Sequence, residues 1–527
     1  MLDRLDRLLP LPFPHFMAFA PLDVWARMLA RAGAWRRISP RYALRIAGGL
    51  FTSALGTLLT LPERFLVGVT IRLRPPRDVK VLCILGYFRS GTTHLHYMLS
   101  CDPSATTPRW YQVLAPQGFV LSWAFLRWFL VPFLASTRPQ DDVAIGPEWP
   151  AEDDFALCNW SLSSSMPGRM VLPAEWNTWS AMHNLDGVGE SDLARWRDHV
   201  RAFAWKVRTA SCDRRRIVLL KNPSHTGRIS ELVRAFGPDN IRFIHVSRDP
   251  AAVVRSNIAM HRRFGPYLLQ PHPGDDVVRA RIVEEYDATE RRFLAESASL
   301  PDGVLARVRY QDLVADPVGV LRSAYARLGL EWSDGLRTNL GGYLRSVSDY
   351  RAASAGDRPR AQTADIPPQL EWMLQAFGHD RPAVPRDDGG SAVAPVARTA
   401  WRSNLVIFAL LWAAAWIGVS RLAGDRLDWL VWPTGAALGS LALRGAGRGS
   451  ARLGLAAGAL TLLTFLVVAY PATAVAFYRE REPMPFADVW DSTRDGLIAV
   501  NNLVWVFLGA ASAYRLASRR QAAAPGA

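Results

Sequence analysis

The sequence predicts an α/β domain with a parallel sheet flanked by helices, followed by an all-α transmembrane domain of about four helices. Three observations support this fold class. Strand-length apolar runs alternate with helical segments between residues 79 and 328, as in the βα units of a parallel sheet. The loops that follow several of these strands contain residues suited to binding anions. From Trp401 onward, long apolar stretches dominate the chain.

Size and composition limit the functional classes. The 527 residues exceed the length over which one hydrophobic core grows, so more than one domain is expected. The net charge is +15, but only three of the 62 basic residues are lysine and no basic run marks a nucleic-acid surface, so no nucleic-acid partner is expected. Four cysteines without a C-x-x-C pair predict neither a disulfide framework nor a zinc site. Acidic residues and prolines near the N-terminus argue against a cleavable signal.

The chain divides into four predicted regions. These are an N-terminal helical segment, the α/β domain, a linker rich in proline, glycine and charge, and a transmembrane domain, at 1–74, 75–380, 381–400 and 401–520. Within the last region, four apolar stretches approach the length that a helix needs to cross a bilayer, at 404–420, 428–443, 453–471 and 497–514.

The charges between these stretches predict their orientation. Arginines precede the first stretch, join the second to the third and follow the fourth, whereas the other two connections are near neutral or acidic. Because Lys and Arg in short loops stay on the cytoplasmic side, both termini and the α/β domain are expected in the cytosol. Two further apolar segments, at 46–61 and 118–135, fit either core helices or interfacial helices.

The first unit of the α/β domain contains a glycine-bounded turn. The apolar run VKVLCIL at 79–85 predicts a strand, and the turn Gly86–Thr93 leads from it into a helical segment. Backbone N–H groups in such a turn, ending at a helix N-terminus, form a nest for a phosphate. Thr92 occupies the position of the Walker lysine, and the basic residue is Arg89, inside the loop. A triphosphate-dependent kinase would thus lack its main cation.

Two more units follow the same order of strand, loop and helix. RIVLL at 216–220 predicts a strand that places Lys221 at its carboxyl end. IRFIHV at 241–246 is followed by Arg248, with Asp249 suited to cap the next helix and Ser256 two turns into that helix.

A fourth strand is predicted to end near Tyr310, within VLARVRYQDL at 304–313. Ligands of parallel sheets bind outside the carboxyl ends of the strands, so all four loops are expected to share one edge.

These loops resemble those of the PAPS-dependent sulfotransferases, in particular the bacterial group whose first loop reads G-x-x-R-S-G-T-T. The resemblance spans roughly residues 75 to 350. It implies a P-loop-like fold and transfer of the sulfuryl group of PAPS, 3′-phosphoadenosine 5′-phosphosulfate, to a hydroxyl or amine acceptor, with no metal. The first loop would bind the 5′-phosphosulfate through Arg89, Ser90, Gly91, Thr92 and Thr93.

The rest of the donor site is also implied by the resemblance. Arg248 and Ser256 match the 3′-phosphate site, and Tyr310 matches a tyrosine near the adenine. Gln311 replaces the acidic residue usual in the family's Y-E-D-L segment. A late loop would contribute Arg351 to the 3′-phosphate.

The acceptor needs a base, and the segment PAEDDFAL offers three carboxylates, among them Glu152 and Asp153. Glu152 is the preferred base, because the related enzymes have a similar E-D-E stretch. Acidic residues before a helix are also ordinary N-terminal capping. Arg89 would also act in catalysis, by stabilising the charge that grows on the leaving phosphate. Lys221 is a further candidate catalytic residue, and His225 and His94 are alternative bases.

Together, these features predict a multi-pass sulfotransferase of a bacterial inner membrane with a cytosolic catalytic domain. Membrane attachment favours a lipid, a lipid-linked glycan or another amphiphile as acceptor. The alternatives are a P-loop nucleotide-dependent kinase and a non-catalytic nucleotide-binding membrane scaffold.

Overall fold

The computed structural model describes a large part of the chain, namely residues 15–73, 79–122, 146–211, 213, 216–347, 366–379, 451–463 and 510–511. The chain divides into two compact units. The first comprises Met1–Ala124, Thr137–Gly389 and Ala523–Ala527, and the second comprises Phe125–Ser136 and Gly390–Ala522.

The first unit contains five strands and fourteen α-helices within its described residues. The strands are β1 Val81–Leu85, β2 Ala105–Thr106, β3 Ile217–Lys221, β4 Ile241–Ser247 and β5 Leu305–Arg309. The helices before β3 are α1 Leu22–Ala30, α2 Ala43–Leu73, α3 Thr92–Leu99, α4 Trp110–Leu114, α5 Asp153–Ser161, α6 Trp176–Asn184 and α7 Glu190–Ala210. Those after β3 are α8 Ile229–Phe236, α9 Pro250–Arg262, α10 Asp275–Ser297, α11 Tyr310–Ala315, α12 Pro317–Arg327, α13 Asp334–Val347 and α14 Trp372–Ala376.

All five strands form one parallel sheet in the order β2-β3-β1-β4-β5. Val81 in β1 is in register with Val218 of β3 on one side and Ile241 of β4 on the other. The central strand β1 is buried along its whole length, as expected for a sheet covered on both faces. The predicted parallel sheet flanked by helices is therefore confirmed.

The strand bounds agree closely with the apolar runs of the sequence. The run at 216–220 corresponds to β3, which extends one residue further and has Lys221 as its last residue. The run at 241–246 corresponds to β4, which ends at Ser247, and β5 ends at Arg309, directly before Tyr310. The edge strand β2 was not predicted, because two residues are too few to give a periodic signal.

The N-terminal segment packs against helices and loops around the sheet. The His15 ring contacts the carbonyl oxygen of Tyr267 at 3.0 Å, and Asn159 of α5 donates to the carbonyl oxygen of Phe16 at 3.1 Å. The long helix α2 follows a short turn at Pro40–Tyr42. Within the described residues, Pro40–Ile71 is the one helical stretch with the length and apolar composition that a membrane span requires.

Most of the second unit lies outside the described residues. This applies to the predicted linker at 381–400, to the predicted spans at 404–420 and 428–443, and to most of the span at 497–514. The helix Ala451–Leu463, here α15, overlaps the first part of the predicted span at 453–471. The four C-terminal spans and the bounds of the four predicted regions stay predictions.

Candidate functional site

The loop between β1 and α3 has a backbone that strongly favours glycine at two positions. Gly86 has a φ of +132° and Gly91 a φ of +99°. A Cβ atom at Gly86 would lie 2.5 Å from the carbonyl oxygen of Val246, so no larger residue fits there. Arg89 also has a positive φ of 70°, a strained conformation of the kind found at ligand-binding sites. The loop ends at the N-terminus of α3, where helix N–H groups favour an anion.

Side chains from three other elements close around this loop. Arg89 Nε donates to Ser256 Oγ of α9 at 2.9 Å, and Arg248 Nη1 donates to the carbonyl oxygen of Arg89 at 3.1 Å. The Arg248 guanidinium lies 4.5 Å from the centre of the Tyr310 ring. That ring fills the space beside Gly91, where a Cβ atom would come within 2.2 Å of Tyr310 Cδ2. The structure thus brings together residues that the sequence predicts to bind one nucleotide.

The start of α9 explains the position of Arg248. Asp249 caps the helix by accepting from the N–H of Ala252 at 2.7 Å, and Pro250 occupies the first helical position. Arg248 therefore lies between the end of β4 and the start of α9, at the edge of the sheet. Burial lowers the pKa of Arg248. A partly buried cation is stabilised by an anion placed beside it.

A second cluster lies on the other side of the same loop. Lys221 Nζ contacts the Glu152 carboxylate and lies 3.2 Å from Thr93 Oγ1. Glu152 directly precedes α5, and Lys221 ends β3. The Lys221 side chain is buried, whereas the Glu152 side chain is 15% exposed. The pair can present a carboxylate and an ammonium group to a substrate held against the loop.

Asp153, the residue after Glu152, forms a buried pair with His225. Asp153 Oδ2 is 2.8 Å from His225 Nε2, and both side chains are completely buried. Burial acts to raise the pKa of Asp153, but the neighbouring His225 and Arg228 outweigh it and leave that pKa lowered. The structure therefore directs these two predicted catalytic residues at each other, away from the exposed edge that Glu152 reaches.

The next residue of the segment, Asp154, is buried as well, and burial raises its pKa. The three carboxylates of PAEDDFAL thus differ in environment, and Glu152 is the one that remains partly exposed.

A buried network behind the loop was not predicted from the sequence. The Tyr87 hydroxyl donates to Glu285 Oε1 at 2.9 Å, and the same oxygen contacts Arg169 Nη2. The Arg169 guanidinium lies 4.2 Å from the centre of the Phe88 ring. Asn257, next to Ser256, donates to the carbonyl oxygen of Phe88 at 2.8 Å. These contacts fix the loop from behind, and no local motif indicates them because the partners are far apart in sequence.

The other predicted residues vary in their surroundings. The side chains of Ser90 and Thr92 are buried, and Thr93 is half-buried. His94 is half-buried with its ring centre 6.4 Å from that of Tyr343, and burial lowers its pKa. Arg351 lies outside the described residues. In the described ranges, no group of three or more His, Cys, Asp or Glu side chains is placed to hold a metal ion.

A glycine-bounded anion loop, two converging arginines and a carboxylate beside an ammonium group, all at one edge of a parallel sheet, define a transferase that uses an anionic donor. Residues 82–334 match the profile of the sulfotransferase family.

Two relatives are the omega-hydroxy-beta-dihydromenaquinone-9 sulfotransferases Stf3 of Mycobacterium bovis and Mycobacterium tuberculosis. Each is 30% identical to this chain over 335 residues, which cover 63% of the chain and 83% of the relative. The chain belongs to the sulfotransferase family and is a sulfotransferase enzyme.

Two solved sulfotransferase structures match part of this chain. Sulfotransferase STF9 from Mycobacterium avium has a TM-score of 0.46 and 17% identity, covering 67% of this chain and 96% of its own. Sulfotransferase STF1 from Mycobacterium tuberculosis has a TM-score of 0.42 and 17% identity, and the match covers 61% of this chain and 87% of STF1.

Proposed function

We propose that this enzyme transfers the sulfuryl group of PAPS to the hydroxyl group of a membrane lipid or lipid-linked glycan. One observation carries the proposal. The loop that begins after β1 contacts Ser256 and Arg248 through Arg89, and it contacts the Glu152–Lys221 pair through Thr93. A nucleotide seated on the loop would therefore have its 3′-phosphate near one cluster and its reactive sulfate near the other.

The first cluster supplies the donor site. Arg248 and Ser256 bind the 3′-phosphate. Tyr310 packs beside the adenine, and the loop from Arg89 to Thr93 holds the 5′-phosphosulfate. Charge-assisted hydrogen bonds from guanidinium groups to phosphate are among the stronger interactions available to a protein, which suits recognition of a doubly phosphorylated nucleoside.

The second cluster supports the chemistry. The acceptor oxygen forms a bond to sulfur while the bond between sulfur and the bridging phosphate oxygen breaks. Glu152 takes the proton that the acceptor hydroxyl releases. Charge grows on the leaving phosphate oxygen, where Lys221 and the loop N–H groups stabilise it. By analogy with phosphoryl transfer, such a loose in-line transition state depends on positioning and charge more than on covalent steps.

Asp153 and His225 support this pair from below. Because both are completely buried and lie 2.8 Å apart, they hold the start of α5 against the loop after β3. That contact fixes the distance between Glu152, at the start of α5, and Lys221, at the end of β3. We assign these two residues a positioning role.

The acceptor class rests on the comparison with Stf3. The name of that relative specifies a hydroxylated dihydromenaquinone. A hydroxyl on a polyprenyl lipid would suit an enzyme held at a bilayer. We propose a bacterial inner membrane as the location, with four C-terminal spans and with the catalytic domain and both termini in the cytosol. Reporter fusions at the C-terminus that are active on the outer side of the membrane would contradict this orientation.

The donor can be tested by ligand binding to the full chain in detergent. Adenosine 3′,5′-bisphosphate is expected to raise the thermal midpoint, since a ligand at ~100 times its Kd stabilises the native state by about 2.7 kcal/mol. AMP, which lacks the 3′-phosphate, should give a much smaller shift. A larger shift with ATP and magnesium would favour a kinase, and no shift with any nucleotide would overturn the proposal.

Arg248→Ala separates recognition of the 3′-phosphate from general nucleotide binding. The variant should lose the preference for the bisphosphate over AMP while keeping the midpoint of the unliganded protein. Arg322→Ala, at an exposed arginine of α12, serves as the matched control and should retain the preference.

The non-catalytic scaffold predicts a different result for the wild type. A wild-type protein that binds the bisphosphate but transfers no labelled sulfur from PAPS to any lipid extract would support that alternative.

A further inference from the structure

The long helix α2 presents an apolar face to the outside of the catalytic unit. Phe51, Leu58 and Phe65 are 66%, 65% and 72% exposed. Ala47, Ala54, Leu61 and Val69 are also exposed and continue the same face at intervals of three or four, and the exposed Leu66 lies next to Phe65. From residue 47 to residue 69 this face is about 33 Å long at 1.5 Å per residue. It contains no charged side chain among these exposed positions.

The opposite face of α2 is polar and fixed to the catalytic unit. Arg45 donates to the carbonyl oxygens of Gly265 and Leu268 at 2.8 and 2.7 Å. Ser53 Oγ donates to the carbonyl oxygen of Ala20 at 2.6 Å. These three hydrogen bonds come from two side chains that are almost completely buried, so the helix cannot rotate to hide its apolar face without breaking them.

Glu63 fixes the second half of the same polar face. Its carboxylate accepts hydrogen bonds from the four successive backbone N–H groups of residues 119–122, with N···O distances of 2.7 to 2.9 Å. Lys206 Nζ lies 3.7 Å from this carboxylate. The attachment of α2 to the catalytic unit therefore extends along most of its length.

This polarity is the reverse of that of a water-facing helix. A surface helix of a globular protein places its apolar stripe toward the core and its charged residues toward water. Here hydroxyl and charged groups face the core and large apolar side chains face outward. Contiguous apolar surface of this kind marks a protein or membrane interaction site.

The residues that precede α2 indicate which partner fits. Trp35 is exposed with the Arg36 guanidinium 5.2 Å from its ring centre, and Arg41 is exposed as well. Arg37 is also exposed, although its guanidinium pairs with Glu175 at 3.0 Å. A cluster of arginines with an exposed indole matches the headgroup region of an anionic bilayer, where basic residues meet lipid phosphates and tryptophan lies at the interface.

We propose that the outer face of α2 lies in the plane of an anionic bilayer, with its apolar side chains among the acyl chains and the preceding arginines at the headgroups. The helix lies on the membrane and does not cross it, because its polar face is occupied by the catalytic unit. This contact belongs to the catalytic unit itself and is separate from the predicted C-terminal spans. It does not depend on which donor or acceptor the enzyme uses.

The proposal is testable by spin labelling of the full chain in vesicles of phosphatidylcholine and phosphatidylglycerol. The parent carries Cys212→Ser, and its three other cysteines are buried. Single variants Phe51→Cys, Leu58→Cys and Phe65→Cys each place one label on the face. Val277→Cys and Val318→Cys, at exposed valines elsewhere in the same unit, are the matched controls.

The readout is the collision rate of each label with oxygen, which concentrates in acyl chains, and with a water-soluble nickel complex. Labels on the face should collide mainly with oxygen, and control labels mainly with nickel. Nickel collisions on the face equal to those of the controls would overturn the proposal. Low rates with both reagents would overturn it as well, because protein would then cover the face.

Vesicles of phosphatidylcholine alone test the role of the arginines. Without anionic lipid, the oxygen-to-nickel ratio at the Phe51→Cys label, nearest the basic end, should fall. An unchanged ratio would overturn the assignment of Arg36 and Arg41 to lipid headgroups. None of these readouts requires sulfuryl transfer, so a failure here and a failure of the proposed donor are distinguishable.

Discussion

Glu152 and Lys221 form a pair in which one side chain can accept a proton and the other can stabilise negative charge. Only Glu152 is partly exposed, and Lys221 links it to Thr93 of the donor loop. This difference in exposure favours Glu152 over Asp153 and His225 as the group that meets the acceptor. Because Glu152 is partly exposed, its carboxylate can also be replaced without disturbing the packing of the core.

Glu152→Gln should abolish most of the activity while leaving nucleotide binding intact. The amide cannot take the acceptor's proton, so the rate should fall on the order of 10²- to 10⁴-fold. The measurement is transfer of radioactive sulfur from PAPS into a membrane lipid extract, with the thermal shift by adenosine 3′,5′-bisphosphate as the check on binding. Glu148→Gln, at an exposed glutamate nearby, is the control. Wild-type activity in Glu152→Gln would remove the carboxylate from the mechanism.

Gly91→Ala should disrupt the donor site through a single methyl group. The added Cβ would lie 2.2 Å from Tyr310 Cδ2, and the φ of +99° disfavours any side chain. Displacement of Tyr310 would also remove the ring beneath Arg248. The thermal shift produced by the bisphosphate should therefore disappear.

Gly342→Ala is the matched control for this substitution. Gly342 lies in α13 and has no atom near its missing Cβ, so alanine there should add about 0.5 to 1 kcal/mol of stability. A normal bisphosphate shift in Gly91→Ala would show that the loop and Tyr310 are not one site.

Four of the five strands were predictable because each is an apolar run followed by a turn signal. Because these strands alternate with helices, they are predicted to be parallel, so the loops that follow them share one edge of the sheet. The structure places Arg89, Lys221, Arg248 and Tyr310 at that edge. What the sequence could not indicate are contacts that depend on tertiary packing. The Arg169–Glu285 pair joins residues 116 positions apart, and neither lies in a recognisable motif.

Helix α2 shows a different limit of sequence interpretation. The segment at 46–61 was compatible with a core helix or an interfacial one, because apolar content alone does not say which face is covered. In the structure, the polar groups of Arg45, Ser53 and Glu63 point inward, and large apolar side chains of the same helix are exposed. Glu63, a charged residue in an apolar helix, was the available signal. Its partners, the backbone N–H groups of residues 119–122, are distant in sequence.

Glu63→Ala should destabilise the catalytic unit strongly. The change removes the acceptor of four backbone N–H groups and leaves Lys206 buried without its carboxylate partner. Removal of one partner of a buried ion pair typically costs about 3 to 5 kcal/mol. The thermal midpoint should fall accordingly.

The double variant Glu63→Ala with Lys206→Met tests whether the charge is responsible. It should recover part of the loss, because no unpaired ammonium group remains in the core. Glu331→Ala, at an exposed glutamate, should leave the midpoint unchanged. A single variant as stable as the wild type would contradict the role of Glu63 in holding α2.

Several histidines distributed through the catalytic unit are buried in the neutral state. The N–H of Met17 donates to His15 Nδ1 at 3.1 Å, and His15 Nε2 faces the carbonyl oxygen of Tyr267 at 3.0 Å. Only the neutral ring with its hydrogen on Nε2 satisfies both contacts. Burial, chiefly, lowers the pKa of His15 from its usual value to about 3. Burial and the charge of Arg169 lower the pKa of His183 and His261 well below the usual range.

These shifts make the stability of the catalytic unit depend on pH, and the raised pKa values of the buried Asp154 and Glu285 carboxyls oppose their effect. In the unfolded chain the histidines titrate near about 6.5, so below that pH the unfolded state binds more protons than the folded state. The free energy of unfolding must then decrease as pH falls, by up to about 1.4 kcal/mol per pH unit for each such histidine. Asp153 adds nothing in this window, because its lowered pKa affects stability only under more acidic conditions.

The thermal midpoint should therefore fall when the pH is lowered from about 7.5 to about 5.5, with most of the change below the pH where free histidine titrates. His15→Gln should reduce the slope, because an amide can donate to Tyr267 and accept from Met17 without titrating. The midpoints of both proteins, measured across this range at constant ionic strength, test the prediction. A slope unaffected by His15→Gln would show that His15 is not held neutral by the fold.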